Sequence, residues 1–206
     1  MLIDHLVISG ETLEEAVDYV ESSLDIRMQE GGRHKLFGTH NKLLALDNGL
    51  YLECIAVDPK AIKPKHPRWF NLDHFFGKPR LSNWVCACEN INYDLAKMQV
   101  HLGQVIDVSR GNYSWSITVP ENGILPFDGC FPALIKWSSI QKHPLVTLPP
   151  SGVSLSSLTI YHPDASKLQE LLSSIGNELV SFRVRSYSGF SAHFSNSLGQ
   201  ETVLET

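Results

Sequence analysis

A single order of secondary structure recurs three times along this chain, at a period of roughly 50 residues. Each copy begins with a short apolar strand, at Leu2, Leu81 and Leu155, continues in an amphipathic helix and ends in three further strands. In such a unit the helix covers one face of a curved sheet, so two units set side by side enclose a space. The pattern predicts an α+β fold of repeated βαβββ units, with curved mixed β-sheets enclosing a cleft and helices on the outside.

The first unit carries clear local signals. Thr12 and Glu15 have the spacing of a capping box, which opens a helix. After that helix we expect Gly31-Gly32 to break a short strand. A hairpin is predicted to turn at Asp47-Asn48-Gly49, because Asn-Gly is a strong turn signal between apolar runs.

The chain divides into three units and two connectors. We place the units at residues 1–57, 81–137 and 154–206. Residues 58–80 hold four prolines, which interrupt regular structure, together with four Trp or Phe residues. We therefore expect an ordered loop that lies against the protein there. Residues 138–153 are predicted to be a connector, since they contain three further prolines.

Composition and charge exclude several classes of function. The 17 basic and 22 acidic residues are spread along the chain, so no basic stripe is available for nucleic acid. No segment approaches the roughly 18 apolar residues that a membrane helix requires. Asp4 stands where a signal peptide would carry positive charge, which favours a cytoplasmic location. No P-loop or dinucleotide fingerprint is present, so we expect no nucleotide cofactor.

The cysteines indicate structural thiols. Cys54, Cys86, Cys88 and Cys130 lack CxxC spacing and lie mostly in apolar runs. Such thiols are usually buried and reduced rather than part of a metal or redox site.

Glu53 is the strongest candidate for a functional group. It lies within the apolar run Tyr51–Val57, where a desolvated carboxylate without a partner would cost several kcal/mol. We therefore expect Glu53 to have a partner, and the candidates are a metal, His5 and an arginine. Without a metal, we expect a raised pKa and a role as general base. His5 itself is either a buried histidine bonded to backbone or a group of the site.

A second candidate group flanks the glycines of GGRHKLFGTHN. His34, His40 and Asn41 lie in this stretch, and the glycines allow the backbone to approach a bound molecule closely. We predict that the three line the substrate pocket, although histidines in loops are often only solvated.

Aromatic residues of the first connector form a third group. Arg68, Trp69 and Phe70 are predicted either to plug a gap or to form an aromatic wall with a guanidinium for a substrate carboxylate or phosphate. Trp137 is predicted to line the opposite rim.

Several motifs carry a family resemblance. IDHLVIS, the ETLEEA helix and NGLYLECIA resemble the vicinal oxygen chelate superfamily, which includes glyoxalase I, extradiol dioxygenases, methylmalonyl-CoA epimerase and antibiotic-resistance proteins. GGRHKLFGTHN, YLECIAVDP and HPRWFNLD are more specifically similar to its glyoxalase-like domain subfamily. FSAHFSNSLGQETVLE resembles a C-terminal half of the superfamily.

The resemblance implies a metal centre. His5 matches the first-strand histidine and Glu53 the last-strand glutamate of the family, and Glu205 in the third unit is a further candidate ligand. These donors suit Zn, Fe, Mn, Ni or Co. The counterparts of His5 in the other units are Asn83 and Ser157, which are not usual ligands, so the four-ligand set of the family is depleted.

Two functions follow from this resemblance. The first is a metal-assisted lyase, isomerase or dioxygenase acting on a small oxygen-rich molecule, with the metal as Lewis acid. The alternative is a non-catalytic protein of the same fold that binds a small molecule, and a scaffold without a cavity is a third reading.

The odd number of units favours a homodimer. The third unit either packs across a dimer interface, fills the open face of a partner, or pairs with the first unit while the second is an insertion.

Overall fold

Three βαβββ orders are present in the computed structural model, which describes residues 1–140, 143–173, 175 and 178–206. The first comprises β1 (Leu2–Ser9), α1 (Leu13–Leu24), β2 (Gln29–His34), β3 (Thr39–Leu46) and β4 (Leu50–Val57). The second comprises β5 (Arg80–Ala87), α2 (Ile91–Lys97), β6 (Gln104–Arg110), β7 (Tyr113–Val119) and β8 (Ala133–Trp137). The third comprises β9 (Val153–His162), α3 (Ala165–Leu171), β10 (Val180–Val184), β11 (Gly189–Asn196) and β12 (Glu201–Glu205).

The first two units form one continuous sheet. Within the described residues it has eight strands in the order β2-β3-β4-β1-β5-β8-β7-β6, and we name it the large sheet. In each of these two units the first strand pairs in parallel with the last, and β1 lies antiparallel to β5. The predicted α+β class with mixed sheets is confirmed.

The large sheet curls until its two edge strands meet. Arg110, at the end of β6, hydrogen-bonds to His34 at the end of β2 and to Asn41 of β3. The side chain of Arg110 also lies against Gly32 of β2. One face of the sheet therefore encloses a space, and we name it the inner face.

The third unit keeps the element order but pairs its strands differently. Its four strands, the small sheet, have the order β10-β9-β11-β12. The first strand, β9, lies between β10 and β11 and does not pair with the last strand. The third unit therefore does not pair with the first in one sheet, and that alternative is wrong.

The small sheet packs on the outer face of the large sheet, beside α1. Leu158 and Phe194 of the small sheet share one hydrophobic core with Leu6, Leu52 and other apolar residues of the large sheet. The hairpin between β3 and β4 also hydrogen-bonds to β9 through the backbone N–H of Asp47 and the side-chain amide of Asn48. The outer face is thus buried within a single chain.

Residues of the first connector lie on the inner face. Trp69, Phe70 and Leu72 belong to a short 3-10 segment, Trp69–His74, and pack in a second core with Val7 and other inward residues of the large sheet. Phe70 and Asn71 have φ values of 56° and 55°, which is unusual for residues with a side chain. This segment closes the enclosed space.

Two local predictions have different outcomes. The capping box is confirmed, because the Glu15 N–H donates to Thr12 Oγ1 and the Thr12 N–H donates to Glu15 Oε2. The predicted strand break at Gly31-Gly32 is wrong, because β2 runs through both glycines. Its pairing with β3 instead shifts register between Glu30 and Gly32.

The cysteines are free thiols in the described part of the chain, and Cys54, Cys86 and Cys130 are buried. Burial raises the pKa of the Cys130 thiol to about 11, so it is an unreactive group at neutral pH. No helix among the described residues is both long enough and apolar enough to cross a membrane.

The packing of the small sheet leads to a prediction for stability. Leu158→Ala removes a fully buried side chain between the two sheets and should lower the free energy of unfolding by about 3 kcal/mol. Val184→Ala, at an exposed position of β10, should cost less than about 1 kcal/mol. Urea unfolding measures both changes. An unchanged unfolding midpoint for Leu158→Ala would show that the two sheets do not unfold together.

Candidate functional site

A bulge in β1 places two titratable side chains next to each other. Ile3 pairs with Cys86 and His5 with Val85, so Asp4 is an extra residue in the register of β1 against β5. Asp4 and His5 are both buried, and Asp4 Oδ1 lies 2.6 Å from His5 Nδ1. Because a bulge interrupts the strict alternation of side chains, neighbouring residues are brought to one site.

The imidazole of His5 lies between two carboxylates. Its Nδ1 contacts Asp4, and its Nε2 lies 3.5 Å from Glu53 Oε2. The second oxygen of Asp4 accepts a hydrogen bond from Trp137 Nε1 at 2.9 Å and contacts His143 Nε2 at 3.1 Å. Asp4 thereby fixes the imidazole so that Nε2 faces Glu53.

A chain of hydrogen bonds continues from Glu53 to the far edge of the large sheet. Asn41 Nδ2 donates to Glu53 Oε1, and Arg110 Nη1 donates to Asn41 Oδ1 at 2.7 Å. Arg110 Nη1 also lies 3.3 Å from His34 Nε2, while His34 Nδ1 contacts Thr39 Oγ1 at 3.0 Å. His34 therefore donates through Nδ1 and accepts through Nε2 as a neutral imidazole.

The electrostatics of the site differ from the expectation for an isolated glutamate. Burial disfavours the charged form of His5, but hydrogen bonds to Asp4 and Glu53 outweigh burial and raise the pKa of His5 to about 9. Burial also disfavours ionised Glu53, yet its hydrogen bond to His5 and the charge of His5 hold the pKa of Glu53 below its ordinary value. The predicted rise in the pKa of Glu53 is therefore wrong, because Glu53 has a cationic partner.

The pKa of His34 is lowered, whereas that of His5 is raised. Its burial, with Arg110 as a cationic neighbour, lowers the pKa of His34 to about 4, although the charge of Glu53 opposes this. Among the described side chains of this cluster, the carboxylates of Asp4 and Glu53 are matched by the cations of His5 and Arg110. The cluster is electrically balanced.

Aromatic rings enclose this cluster in a small cavity. Tyr51 stacks on His5 with ring centroids 4.5 Å apart, and Trp69 and Trp115 meet the His34 ring edge-on. The free space is about 20 Å³, room for one or two water molecules. A larger ligand enters only if part of the wall moves.

Most predicted site residues line this cavity. They are His5, His34, Asn41, Glu53, Trp69, Phe70 and Trp137. Two predicted pocket residues lie elsewhere. His40 is on β3 beside Arg33 and Asp58, and Arg68 is paired with Asp73 within the connector.

Glu205 does not join His5 and Glu53, which corrects the predicted ligand set. It is exposed on β12, an edge strand of the small sheet, and its Oε1 accepts a hydrogen bond from Ser191. The small sheet lies on the outer face of the large sheet and pairs its strands differently. The last strand of the third unit is therefore not equivalent to β4.

Four residues of this cluster and its walls could not be predicted from the sequence. They are Asp4, Tyr51, Arg110 and Trp115. Arg110 is 69 positions from Asn41 and comes from the second unit, so no local pattern indicates their contact. Asp4 precedes a histidine that was singled out, but strict alternation would have placed it on the other face.

The donor set does not fit a divalent metal. In the part of the chain that the structure describes, no group of three or more His, Cys, Asp or Glu side chains is arranged to hold an ion. His5 Nε2 and Glu53 Oε2 face each other on the cavity, while His34 Nε2 and Asn41 Oδ1 are held by Arg110. Two donors are fewer than the three protein ligands of a typical catalytic zinc site.

Comparisons with known proteins agree on a fold. The model of a family described as "Glyoxalase-like domain" matches residues 3–176. A hypothetical protein from Staphylococcus aureus has a similar structure, with 16% sequence identity, a TM-score of 0.67, and coverage of 91% of this chain and 87% of that chain. Methylmalonyl-CoA epimerase from Mycobacterium tuberculosis is 18% identical over 66% of this chain and 88% of that chain, with a TM-score of 0.46. No curated protein matches the chain.

The shifted pKa values of His34 and His5 predict that the free energy of unfolding falls on both the acid and the alkaline side of its pH profile. Neutral His34 has a pKa of about 4 when folded and about 6.5 when unfolded, so the free energy of unfolding falls as pH falls from 6.5 to 4. Charged His5 has a pKa of about 9 when folded, so its contribution is present below pH 6.5 and is lost as pH rises to 9. Each limb should be on the order of 3 kcal/mol.

Urea unfolding at a series of pH values measures these limbs. His34→Gln should flatten the acid limb between pH 6.5 and 4, and His5→Gln should flatten the alkaline limb between pH 6.5 and 9. The stability that Asp4 and Glu53 contribute is lost only below their ordinary pKa values of 3.8 and 4.5, since their folded pKa values are lower still. An acid limb that is unchanged in His34→Gln would contradict the neutral, buried state of this imidazole.

Gly31 gives clearance to Asn41, which leads to a third prediction. A Cβ at Gly31 would lie 2.2 Å from Asn41 Oδ1 and 2.5 Å from the backbone oxygen of Asn41. Gly31→Ala should therefore displace Asn41 and lower the free energy of unfolding by about 2 kcal/mol, measured with urea. Lys35→Ala, at an exposed position after β2, is the control and should change stability little. Equal stability of both variants would contradict this role of Gly31.

Proposed function

Since the chain belongs to the glyoxalase-like domain family, we propose that it is an isomerase- or lyase-type enzyme that transfers a proton on a small oxygen-rich molecule. One observation carries this proposal. A buried imidazole and a buried carboxylate, His5 Nε2 and Glu53 Oε2, face each other at 3.5 Å on a small cavity. The separation is longer than that of a strong hydrogen bond, which leaves both atoms available to a third group.

In the proposed reaction Glu53 is the base. Its carboxylate accepts a proton from a carbon next to a carbonyl group, and the C–H electron pair moves into the developing enolate. The His5 imidazolium donates a hydrogen bond to the enolate oxygen through Nε2, which stabilises the charge that forms there. Protonated Glu53 then returns the proton to the substrate, or a leaving group departs with the electron pair.

Asp4 and Asn41 support these two roles. Asp4 accepts from His5 Nδ1–H, which orients Nε2 towards the substrate and stabilises the imidazolium. Asn41 holds one oxygen of Glu53, so that the other oxygen faces His5. A substrate that enters between His5 and Glu53 takes over part of the contact with His5, and Glu53 then becomes more basic.

The walls of the cavity exclude water from this reaction. Trp69 and Phe70 belong to the connector segment that closes the inner face. Phe70 lines this cavity and also a neighbouring cleft of about 190 Å³. We therefore place the route of entry at Phe70, which must move before a substrate reaches Glu53.

A non-catalytic binding protein is the second candidate. The observation that favours it is that both carboxylates of the cluster already have cationic partners, so the site is stable without a substrate. In that case Glu53 and His5 orient a ligand and transfer no proton. The metal-assisted and dioxygenase alternatives have less support, because the donor set does not fit a divalent ion.

Homodimerisation and a cytoplasmic location stay predictions. Light scattering of the purified protein measures the first, and fluorescence microscopy of a tagged chain measures the second. A monomeric mass would contradict the homodimer.

Solvent exchange tests the proposed proton transfer. The protein is incubated in D₂O with small 2-oxo and 2-hydroxy carbonyl compounds, including dihydroxyacetone and pyruvate, and C–H loss is followed by NMR. Glu53→Gln should slow exchange by about 100-fold or more, because it removes the base. His5→Gln should slow exchange to a similar extent, because it removes the charge that stabilises the enolate.

Glu30→Gln is the matched control. Glu30 is exposed on β2 and contacts Lys42, so this variant should exchange at the rate of the native protein. Equal exchange by Glu53→Gln and the native protein would contradict the role of Glu53. Stoichiometric binding of one of these compounds without exchange would favour the binding protein instead.

A further inference from the structure

Two residues that line the cavity each have a buried N–H group without a partner among the described residues. Arg110 Nε and Trp69 Nε1 make no hydrogen bond within the described ranges of the chain. The exposed fraction of Arg110 is 8% and that of Trp69 is 3%, and both side chains line the cavity. Buried donors almost always have an acceptor, so two of them at one cavity indicate a missing acceptor group.

Both donor residues lie beside His34, and we name this part of the cavity the His34 end. The Trp69 ring meets the His34 ring at a centroid distance of 5.0 Å, and Arg110 Nη1 lies 3.3 Å from His34 Nε2. His34 Nε2 already faces Arg110 and Asn41, and His34 Nδ1 contacts Thr39. This end therefore offers the Nε–H of the Arg110 guanidinium and a second N–H donor to whatever enters.

We propose that this end is a subsite for the carboxylate of a small substrate, with Arg110 and Trp69 as its donors. The inference rests on the proposed function, since it names the class of molecule on which Glu53 and His5 act. A guanidinium with a free Nε is suited to a planar carboxylate. Gly32 lies beside the Arg110 side chain and has no side chain of its own to cover it.

Charge favours a short monocarboxylate at this subsite. The free space of about 20 Å³ holds one or two water molecules, so even a small acid reaches Arg110 only after the wall at Phe70 moves. A phosphate dianion would add two negative charges near Glu53, whereas a carboxylate adds one. Asn41 links Arg110 to Glu53, so a carboxylate at Arg110 brings its adjacent carbon atoms towards Glu53. The substrate class is therefore a small 2-oxo or 2-hydroxy acid.

Binding of pyruvate and of its uncharged methyl ester tests this subsite. Saturation-transfer NMR on the full chain at pH 7 measures both ligands, and we expect pyruvate to bind about tenfold more tightly than the ester. Trp69→Phe keeps an aromatic ring but removes the N–H, and Arg110→Gln removes the charge. Each variant should weaken pyruvate binding about tenfold and leave binding of the ester unchanged.

Two controls separate this inference from the proposed function. Arg33→Gln removes an arginine that pairs with Asp58 outside the cavity, and it should bind pyruvate as the native protein does. Glu53→Gln should keep the preference for pyruvate over the ester while it loses proton exchange. Loss of exchange without a preference for pyruvate would overturn the subsite alone.

Three results would overturn the subsite. They are equal binding of pyruvate and its ester by the native protein, absence of pyruvate binding at millimolar concentrations, and undiminished pyruvate binding by Trp69→Phe. Arg110 bridges the edges of the large sheet, so circular dichroism establishes whether Arg110→Gln is folded. If it is unfolded, Trp69→Phe decides the question.

Discussion

The guanidinium of Arg110 connects the charge balance of the site to the shape of the large sheet. It reaches from β6 to His34 and Asn41 on β2 and β3, which are at the opposite edge of the same sheet. Asn41 in turn holds Glu53, whose second oxygen faces His5. Without this cation, the buried negative charges would outnumber the buried positive charges. The curled sheet would also lose a hydrogen-bonded link between its two edges.

The two faces of the large sheet are covered in different ways, and this difference decides where chemistry is possible. The small sheet and α1 cover the outer face, where the side chains of both sheets form an apolar core. The inner face receives the connector segment with Trp69 and Phe70, which surrounds a polar cluster and keeps most water away from it. Low polarity around the cluster strengthens each of its electrostatic interactions. A single chain thus supplies both the support and the lid of its site.

Sequence reasoning reached the half of the site that comes from the first unit. Glu53 stood out because a carboxylate in an apolar strand must have a partner, and His5 lies on the strand that pairs in parallel with it. The glycines before His34 were predicted to let the backbone approach a bound molecule, whereas the structure shows that Gly31 gives clearance to Asn41. Arg110 gave no such signal, since an arginine at a strand end is usually solvated. Its partner is far away in the sequence.

In the third unit, the repeated sequence pattern predicts the strands and the helix but not the pairing of the strands. Its hydrophobic periodicity predicted the right elements, because each strand and helix depends on local spacing and capping. Periodicity does not determine which strands pair, and β9 pairs with β10 and β11 rather than with β12. Glu205 was therefore assigned to a metal site by analogy with Glu53, although it lies in another sheet. The charge state of Glu53 could not be predicted from the sequence either, since it depends on the neighbouring cation of His5.

The amino-acid sequence by itself determined the βαβββ order and the family, and it singled out His5 and Glu53, which line one cavity. These depend on residue type and on spacing within a few positions. Only the tertiary structure decided that the first two units share a sheet, that Asp4 joins His5 through a bulge, and that Arg110 completes the cluster. The physical reason is that strand pairing and charge balance are set by contacts between distant segments, whose free energies no local pattern contains.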